Sequence, residues 1–325
     1  MEGINMLKDV EIHFRSARWL PAANIDRSFV KYSNPKASPG VVWQYSPENV
    51  QIDLSVIIPT FDAYRDGYFL KLLSQIGSQD FPGFELIIVR GDPRQGRAIN
   101  IGAEIARGKY LLTLDDDTSL SDPETFRKMT AVMESDSRIG IAGGNNVIPA
   151  DASIFLQQVM KQIPRRSWEP VQTVTDSDLA EHPLLMMRKE IYKRIGGENE
   201  LIPRGLDPYL RQEFRKAGYR IVVVPGAEYS HLPPETWIKL IKQFYRNGKQ
   251  AAFCNKFYPQ WVIETPENHV KDFVEKRSFL YRVARYAVNM VKKIFRRHWI
   301  YVSASVVYAV GYIWGYLKSK DENGA

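Results

Sequence analysis

The chain has 325 residues, 44% of them hydrophobic, with one cysteine and a formal charge of +7 from 44 Lys and Arg against 37 Asp and Glu. That is enough apolar material for a sizeable core, and the lone Cys254 excludes an internal disulfide framework or a cysteine-based metal cluster, which is compatible with a reducing compartment. The excess charge is local: residues 276–320 hold ten Lys or Arg and no acid, leaving 34 basic against 37 acidic residues elsewhere, so the positive surface of a nucleic-acid binder is not expected.

Residues 1–10 lack the charged-then-apolar pattern of a secretory leader. Residues 1–50, with Pro21, Pro35, Pro39 and Pro47, predict an irregular extension with room for one strand. The run 54–59, Leu-Ser-Val-Ile-Ile-Pro, is short, β-branched and closed by proline, as a buried parallel strand is. Helical spacing follows over 68–76, a strand over 85–89 and a helix over 99–107 stopped by Gly108. A third strand, 110–114, runs straight into Asp115-Asp116-Asp117, before a helix over 123–134 and a strand over 139–142. Strands and helices alternating in this way predict an α/β fold with a mostly parallel sheet flanked by helices. Ligands in such sheets bind at the carboxyl ends of the strands, where the three aspartates fall.

Residues 154–178 give few signals and are expected to form acceptor-facing loops. Beyond them the pattern predicts a short helix over 189–195 before Gly196-Gly197, a helix over 208–217 with Pro208 in its first turn, a strand over 219–224 and a long helix over 234–253. The stretch 280–295 is basic and amphipathic. Residues 299–317 carry no charge and are bracketed by Arg296-Arg297 and Lys318, with Trp299 and Trp314 near the ends, as at a membrane interface. Tyr301, Ser305, Tyr308, Tyr312 and Tyr316 share a face of that helix. The tail therefore fits a bilayer-spanning helix, and equally an interfacial or packed one.

Taken alone, the aspartate triplet fits either a solvated turn or a site for a hard divalent cation that also takes substrate phosphates. Its surroundings decide. Pro59-Thr60-Phe61-Asp62 after the first strand, Gly96-Arg97 with Asn100 and Gly102, and Leu114-Asp115-Asp116-Asp117 together resemble the family-2 inverting glycosyltransferases of the Rossmann-like GT-A fold, over roughly residues 52–255. The resemblance implies that Asp115 faces the nucleotide ribose, that Asp117 holds Mn2+ or Mg2+ against the donor diphosphate, and that Asp115 shares in holding the ion. It also places Pro59, Thr60, Asp62, Arg97, Asn100 and Asp116 around the donor. Further on, the family pattern is matched by Gly196-Gly197-Glu198-Asn199-Glu200, Leu206-Asp207-Pro208 and Lys216-Ala217-Gly218-Tyr219-Arg220, with Leu206 standing where the family has an acid. This register gives Asp207 the part of general base, although an aspartate before a proline is also an ordinary helix cap. Glu200 and Glu198 are next in line. His231, in Tyr229-Ser230-His231, falls where the family often has a histidine near the metal, and Arg246, in Gln243-Phe244-Tyr245-Arg246-Asn247, where an arginine steadies the leaving diphosphate. In the loop after the second strand Arg90 departs from the family's base-reading aspartate, leaving Asp92 to take that part.

His182, His269 and His298 show no ligand spacing and are expected to be structural or exposed. Dinucleotide, kinase and serine-hydrolase signatures are missing. The expected organisation is an extension over 1–50, a GT-A catalytic domain over 51–260 and a membrane-associated helical tail over 261–325. The expected function is metal-dependent transfer of a sugar from a nucleotide-sugar donor to a hydroxyl of a glycan or lipid-linked acceptor. It is expected at the cytoplasmic face of the cell membrane, in cell-surface glycan or glycolipid synthesis, with the tail on membrane lipids and no nucleic acid as partner. The alternatives are a nucleotidyltransferase of related fold and a membrane-bound nucleotide-sugar-binding scaffold without turnover.

Overall fold

The computed structural model describes residues 16–149, 152–164, 169–266, 268–269 and 277–320; the leader expectation at 1–10 lies outside them. Ten strands form one sheet: β1 (Ser16–Pro21), β2 (Val41–Ser46), β3 (Leu54–Thr60), β4 (Phe84–Arg90), β5 (Tyr110–Thr113), β6 (Thr118–Leu120), β7 (Ile139–Asn146), β8 (Thr175–Asp176), β9 (Leu185–Arg188) and β10 (Arg220–His231). Their order is β1-β2-β4-β3-β5-β9-β7-β10-β6, with β8 on β10 off this path. The helices are α1 (Tyr68–Gly77), α2 (Gln95–Ile105), α3 (Thr125–Ser135), α4 (Ile154–Gln162), α5 (Lys189–Arg194), α6 (Leu206–Lys216), α7 (Trp237–Phe257), α8 (Phe279–Phe295) and α9 (Trp299–Lys318).

Alternation along β3 divides the core. Val56 and Ile58 face Leu72 and Ile76 of α1 and Phe126 and Met129 of α3. Ile57 points the other way, among Ile99 and Ile101 of α2, Ile191 of α5 and Phe214 of α6. Burial on both faces is why this strand is apolar without a polar stripe. Helix α2 lies close on β3 because Gly102 has no side chain: a Cβ there would come within 2.6 Å of Ile57 Cγ2.

The sheet is mixed, which corrects the mostly parallel expectation. Only β3–β4, β3–β5 and β7–β10 run parallel among the described pairs. β9 lies antiparallel to both β5 and β7; four residues are too few for a period to be legible. Residues 16–50 hold two strands rather than one, β1 and β2, which extend the sheet antiparallel from β4. Helix α2 begins earlier than expected, at Gln95, because Asp92 Oδ1 accepts from the Arg94 amide at 2.8 Å and turns the chain into it. The loops expected over 154–178 contain α4, whose N-cap Ser153 accepts from the Leu156 amide and whose Leu156, Val159 and Met160 are buried at helical spacing.

The tail helices are as long as the sequence suggests. α9 packs directly on α7: a Cβ on Gly248 would meet the Tyr308 carbonyl at 2.2 Å, and one on Gly311 the Tyr245 carbonyl at 2.3 Å. Residues outside the tail cap α9 at both ends. Gln162 Oε1 accepts from the Ile300 and Tyr301 amides, and Lys256 Nζ donates to the Tyr316 and Ser319 carbonyls.

Candidate active site

The third core strand ends in a tight turn. The Leu114 amide extends the ladder to Ile57, and the Thr118 amide then donates back to the Asp115 carbonyl at 3.0 Å, so all three aspartates crowd between β5 and β6. Strand β6 pairs Thr118 with His231 of β10, which sets Asp117 beside that histidine. His231 Nε2 lies 3.0 Å from Asp117 Oδ1. Asp115, Asp117 and His231 each present a ligand atom, all within 4.8 Å of one another. Asp116 points elsewhere, accepting from Thr60 Oγ1 at 2.7 Å, while Gln95 Nε2 donates to Asp115 at 2.8 Å.

Burial pushes the Asp115 carboxyl up to about 6, with the Asp117 charge adding to it and His231 opposing. Burial likewise pushes Asp116 up to about 6, against the hydrogen bond from Thr60 and the charge of Arg65. For Asp117 burial is outweighed by His231 and Arg65, which hold it well below the usual carboxylate range. Three carboxylates thus share one guanidinium and one imidazole, and the cluster is short of positive charge. Two carboxylates and an imidazole suit Mn2+ or Mg2+, so the residues fit a divalent ion.

Arg65, which the sequence did not single out, is the resident cation. It reaches Asp117 with Nε at 3.0 Å and Nη2 at 2.7 Å from a loop in which Ala63, Arg65 and Asp66 all have positive φ. Asp62 holds that loop by accepting from the Tyr64 and Arg65 amides. A metal on Asp117 competes with Arg65. Arg65→Ala is therefore expected to tighten binding of Mn2+ alone by up to about fivefold, the scale of a half-exposed ion pair. Weaker binding in an electron-paramagnetic-resonance titration would instead mean that Arg65 supports the ligand set.

A second cluster lies where α6 begins. Gly205 takes φ +86°, which favours glycine, and Asp207 follows in the first turn, where the helix dipole favours a carboxylate. Asp207 Oδ1 accepts from the His182 amide at 2.7 Å and pairs with His182 Nδ1. His182 Nε2 lies 2.8 Å from Glu198, which is fully buried. Burial works against a charged His182, but the two carboxylates raise its pKa well above the ordinary value. Against burial, the charge of His182 and its hydrogen bonds hold Asp207 below the usual range, ionised at neutral pH. Both bonds fall on Oδ1, and the side chain is 33% exposed. Oδ2 therefore takes no part in either bond.

Both clusters line one cavity of about 860 Å³, which includes Asp115, His231, His182 and Asp207.

Residues 90–249 match the family model described as Glycosyltransferase like family 2. Residues 90–249 are thus similar to the family-2 glycosyltransferase domain. An uncharacterized glycosyltransferase of Haemophilus influenzae is 27% identical over 184 residues, a match spanning 48% of this chain and 59% of that one. The mannosyltransferase PcManGT from Pyrobaculum calidifontis, solved with GDP-Man and Mn2+, superposes with a TM-score of 0.53 at 14% identity, covering 95% of this chain and 98% of that one. At that identity the likeness is one of fold, and it is the GT-A fold.

Within this fold the other predicted site residues divide. Pro59 and Thr60 end β3 beside the aspartate turn, with Phe61 and Tyr64 exposed after them. Asp92 and Arg97 do not reach the site as free groups. They close on each other in a buried pair at 2.7 and 2.9 Å, and Arg97 also donates to the Lys36 carbonyl. Asp92 is thus committed to the fold rather than open to a base. Asn100 is likewise committed: it donates to the Glu198 carbonyl and to Glu200 and accepts from the Tyr192 hydroxyl and the Glu198 amide. Glu200, a reserve candidate for the base, is occupied by Arg27, Ser33 and the Asn34 amide. Arg246 is exposed on α7, one turn before Gln250, which does line the cavity. His182, expected to be merely structural, is buried between two carboxylates at the site. The signal for it was absent because it precedes the short β9, and Thr113 and Thr118 hold that segment by donating to the His182 and Pro183 carbonyls.

Proposed function

We propose that this chain is a metal-dependent inverting glycosyltransferase, moving a sugar from a nucleotide-diphosphate donor to an acceptor hydroxyl in cell-surface glycan or glycolipid synthesis. One observation carries the reading: Asp115 and His231 of the ligand set and a lone ionised aspartate, Asp207, open onto the same cavity. Asp115, Asp117 and His231 would hold the ion, and PcManGT, solved with Mn2+, supports manganese as one choice. A divalent ion there supplies Lewis-acid stabilisation of the departing diphosphate. Asp207 takes the acceptor proton on its unengaged oxygen as the hydroxyl attacks the anomeric carbon from the opposite side. His182 aims Asp207 and keeps it ionised, and Glu198 holds His182 charged and in place. Phe61 and Tyr64, exposed at the end of β3, offer stacking surfaces to the donor base.

The catalytic unit in this reading is residues 51–260, widened at its sheet edge by β1 and β2, with residues 261–325 as a membrane-binding tail. α8 exposes Leu280, Val283, Val288, Val291, Ile294 and Phe295 among basic residues, the composition of an interfacial helix on an anionic cytoplasmic leaflet. α9 has a mean hydropathy of 1.4 over its best window and is long enough to cross a bilayer. It is, however, bound along α7, which carries Lys239, Lys242, Arg246, Lys249 and Lys256 and cannot follow it into hydrocarbon. We therefore place α9 on the membrane rather than through it. The full chain is expected to sediment with membranes and to be released by alkaline carbonate; a spanning helix would keep it in the pellet.

The test of function is to incubate the full chain in mild detergent with single nucleotide sugars and Mn2+, following release of nucleoside diphosphate. One donor is expected to be consumed, and only with a divalent ion. Metal-dependent binding with no turnover of any donor would favour the scaffold reading.

A further inference from the structure

The cavity does not end at the catalytic aspartates. From Asp115 and Asp207 it extends past the start of α6 and the C-terminal half of α7 to the tail, where α8 and α9 supply part of its wall. Arg204, Arg282 and Arg285 line this far end together with Tyr286, Tyr301 and Tyr308. We propose that these three arginines bind the phosphate or diphosphate of a lipid-linked saccharide acceptor, whose sugar hydroxyl reaches Asp207 and whose hydrocarbon chain leaves along α8. The inference rests on the glycosyltransferase reading and names the acceptor class for that same site.

Charge is the first argument. The arginines come from two separate parts of the chain, the loop before α6 and one turn of α8, yet they line one cavity. No ion pair to a carboxylate is made by any of them among the described residues. Glu264 is the acid lining this end, and its Oε1 accepts from the Arg277 amide at 3.1 Å. Arg204 and Arg282 both act on the Tyr308 hydroxyl, where their positive charge counters the rise that burial imposes. Three like charges gathered in one recess repel unless an anion joins them.

Hydrogen bonding is the second. The Nε of Arg282 is shut off from solvent and has no hydrogen-bond partner among the described residues. A guanidinium N–H left so costs free energy until an acceptor arrives, and phosphate oxygens match the guanidinium fork.

Position is the third. α8 contributes Arg282 and Arg285 to the cavity while its Leu280, Val283, Val288, Val291 and Phe295 stay exposed. Tyr286 both lines the cavity and donates to the Ser305 carbonyl, tying α8 to α9 at this point. The wall that would hold the phosphate and the face that meets lipid therefore belong to one helix. A soluble sugar would have no use for that arrangement. An acceptor with a charged head and an apolar tail uses both sides. The volume of about 860 Å³ has room for a sugar phosphate beside the donor.

The test uses the full chain in neutral-lipid nanodiscs with EDTA, so that the aspartate site cannot hold a diphosphate through metal. Binding of farnesyl diphosphate, farnesol and inorganic diphosphate is measured by native mass spectrometry. Farnesyl diphosphate is expected to bind wild type at least tenfold more tightly than either of the others. Arg282→Gln with Arg285→Gln should weaken it by about 10–100-fold, the scale of lost charge-assisted hydrogen bonds. Arg204→Gln, a substitution outside the tail helices, should weaken it in the same direction. Farnesol binding as well as the diphosphate, or arginine variants binding like wild type, overturns the proposal. Inorganic diphosphate binding equally well overturns its lipid-linked part. Metal-dependent nucleotide binding, measured on the same variants, should be unchanged. Arginine-dependent capture of farnesyl diphosphate by a chain that binds no nucleotide would keep the anion subsite and remove the glycosyltransferase reading instead.

Discussion

Asp207→Asn is expected to lower the rate of sugar transfer by about 10²–10⁴-fold, the contribution of a positioned general base, while donor affinity changes much less. The amide keeps an oxygen to accept from the His182 amide, 2.7 Å from Oδ1 in the native chain, and the helix N-cap, Gly205, is untouched. Folding should therefore survive, and circular dichroism with a thermal melt checks it. The amide cannot take a proton from the acceptor, so kcat should fall with kcat/KM for the acceptor. Equal losses in donor binding and rate would mean that Asp207 organises the site. A variant transferring at the normal rate would move the base elsewhere, and Glu198, already bound to His182, would be the remaining carboxylate of that cluster.

Asp117→Ala is expected to abolish metal-supported nucleotide binding, with a loss larger than the roughly 10–100-fold typical of removing an outer partner of a metal ligand. Asp117 is bound by His231 on one side and Arg65 on the other. Its removal strips an anionic ligand and leaves Arg65 and His231 facing the turn. Its side chain packs against neither core cluster, so the melting temperature without ligand should move little. Isothermal titration with Mn2+ and a nucleoside diphosphate reads the effect. Unchanged metal-dependent binding would reduce the triplet to a solvated turn.

Residues whose role is written in local pattern were legible in the sequence. The strand over 54–59, the acidic triplet at its neighbour's end and the helix carrying Pro208 all have short-range signals, and the structure has them, with the helix starting at Leu206 so that Asp207 lies inside its first turn rather than before it. His231 and Asp117 are far apart in sequence, yet the pairing of β6 with β10 brings them to 3.0 Å. What stayed hidden depends on long-range closure. β9 has four residues and no period, so neither its antiparallel insertion nor the approach of His182 to Asp207 could be read. Asp92 looked available because nothing local marks a buried ion pair five residues long, and Arg97 takes it. Arg65 sits in a loop of left-handed residues held by Asp62, a geometry that the residue types Ala, Arg and Asp do not announce. Arg282 and Arg285 read as general basic charge until α8 and α9 closed the wall.

The claim that joins these observations is that the aspartate turn and His231 form a metal-dependent nucleotide site. A thermal-shift panel of uridine, guanosine, thymidine and cytidine nucleotides on the full chain, each with and without Mn2+, tests it directly. One nucleoside diphosphate is expected to raise the melting temperature by roughly 5–10 °C at about 100 times its Kd, and only when the metal is present. No shift with any nucleotide, or an equal shift in EDTA, would contradict the account.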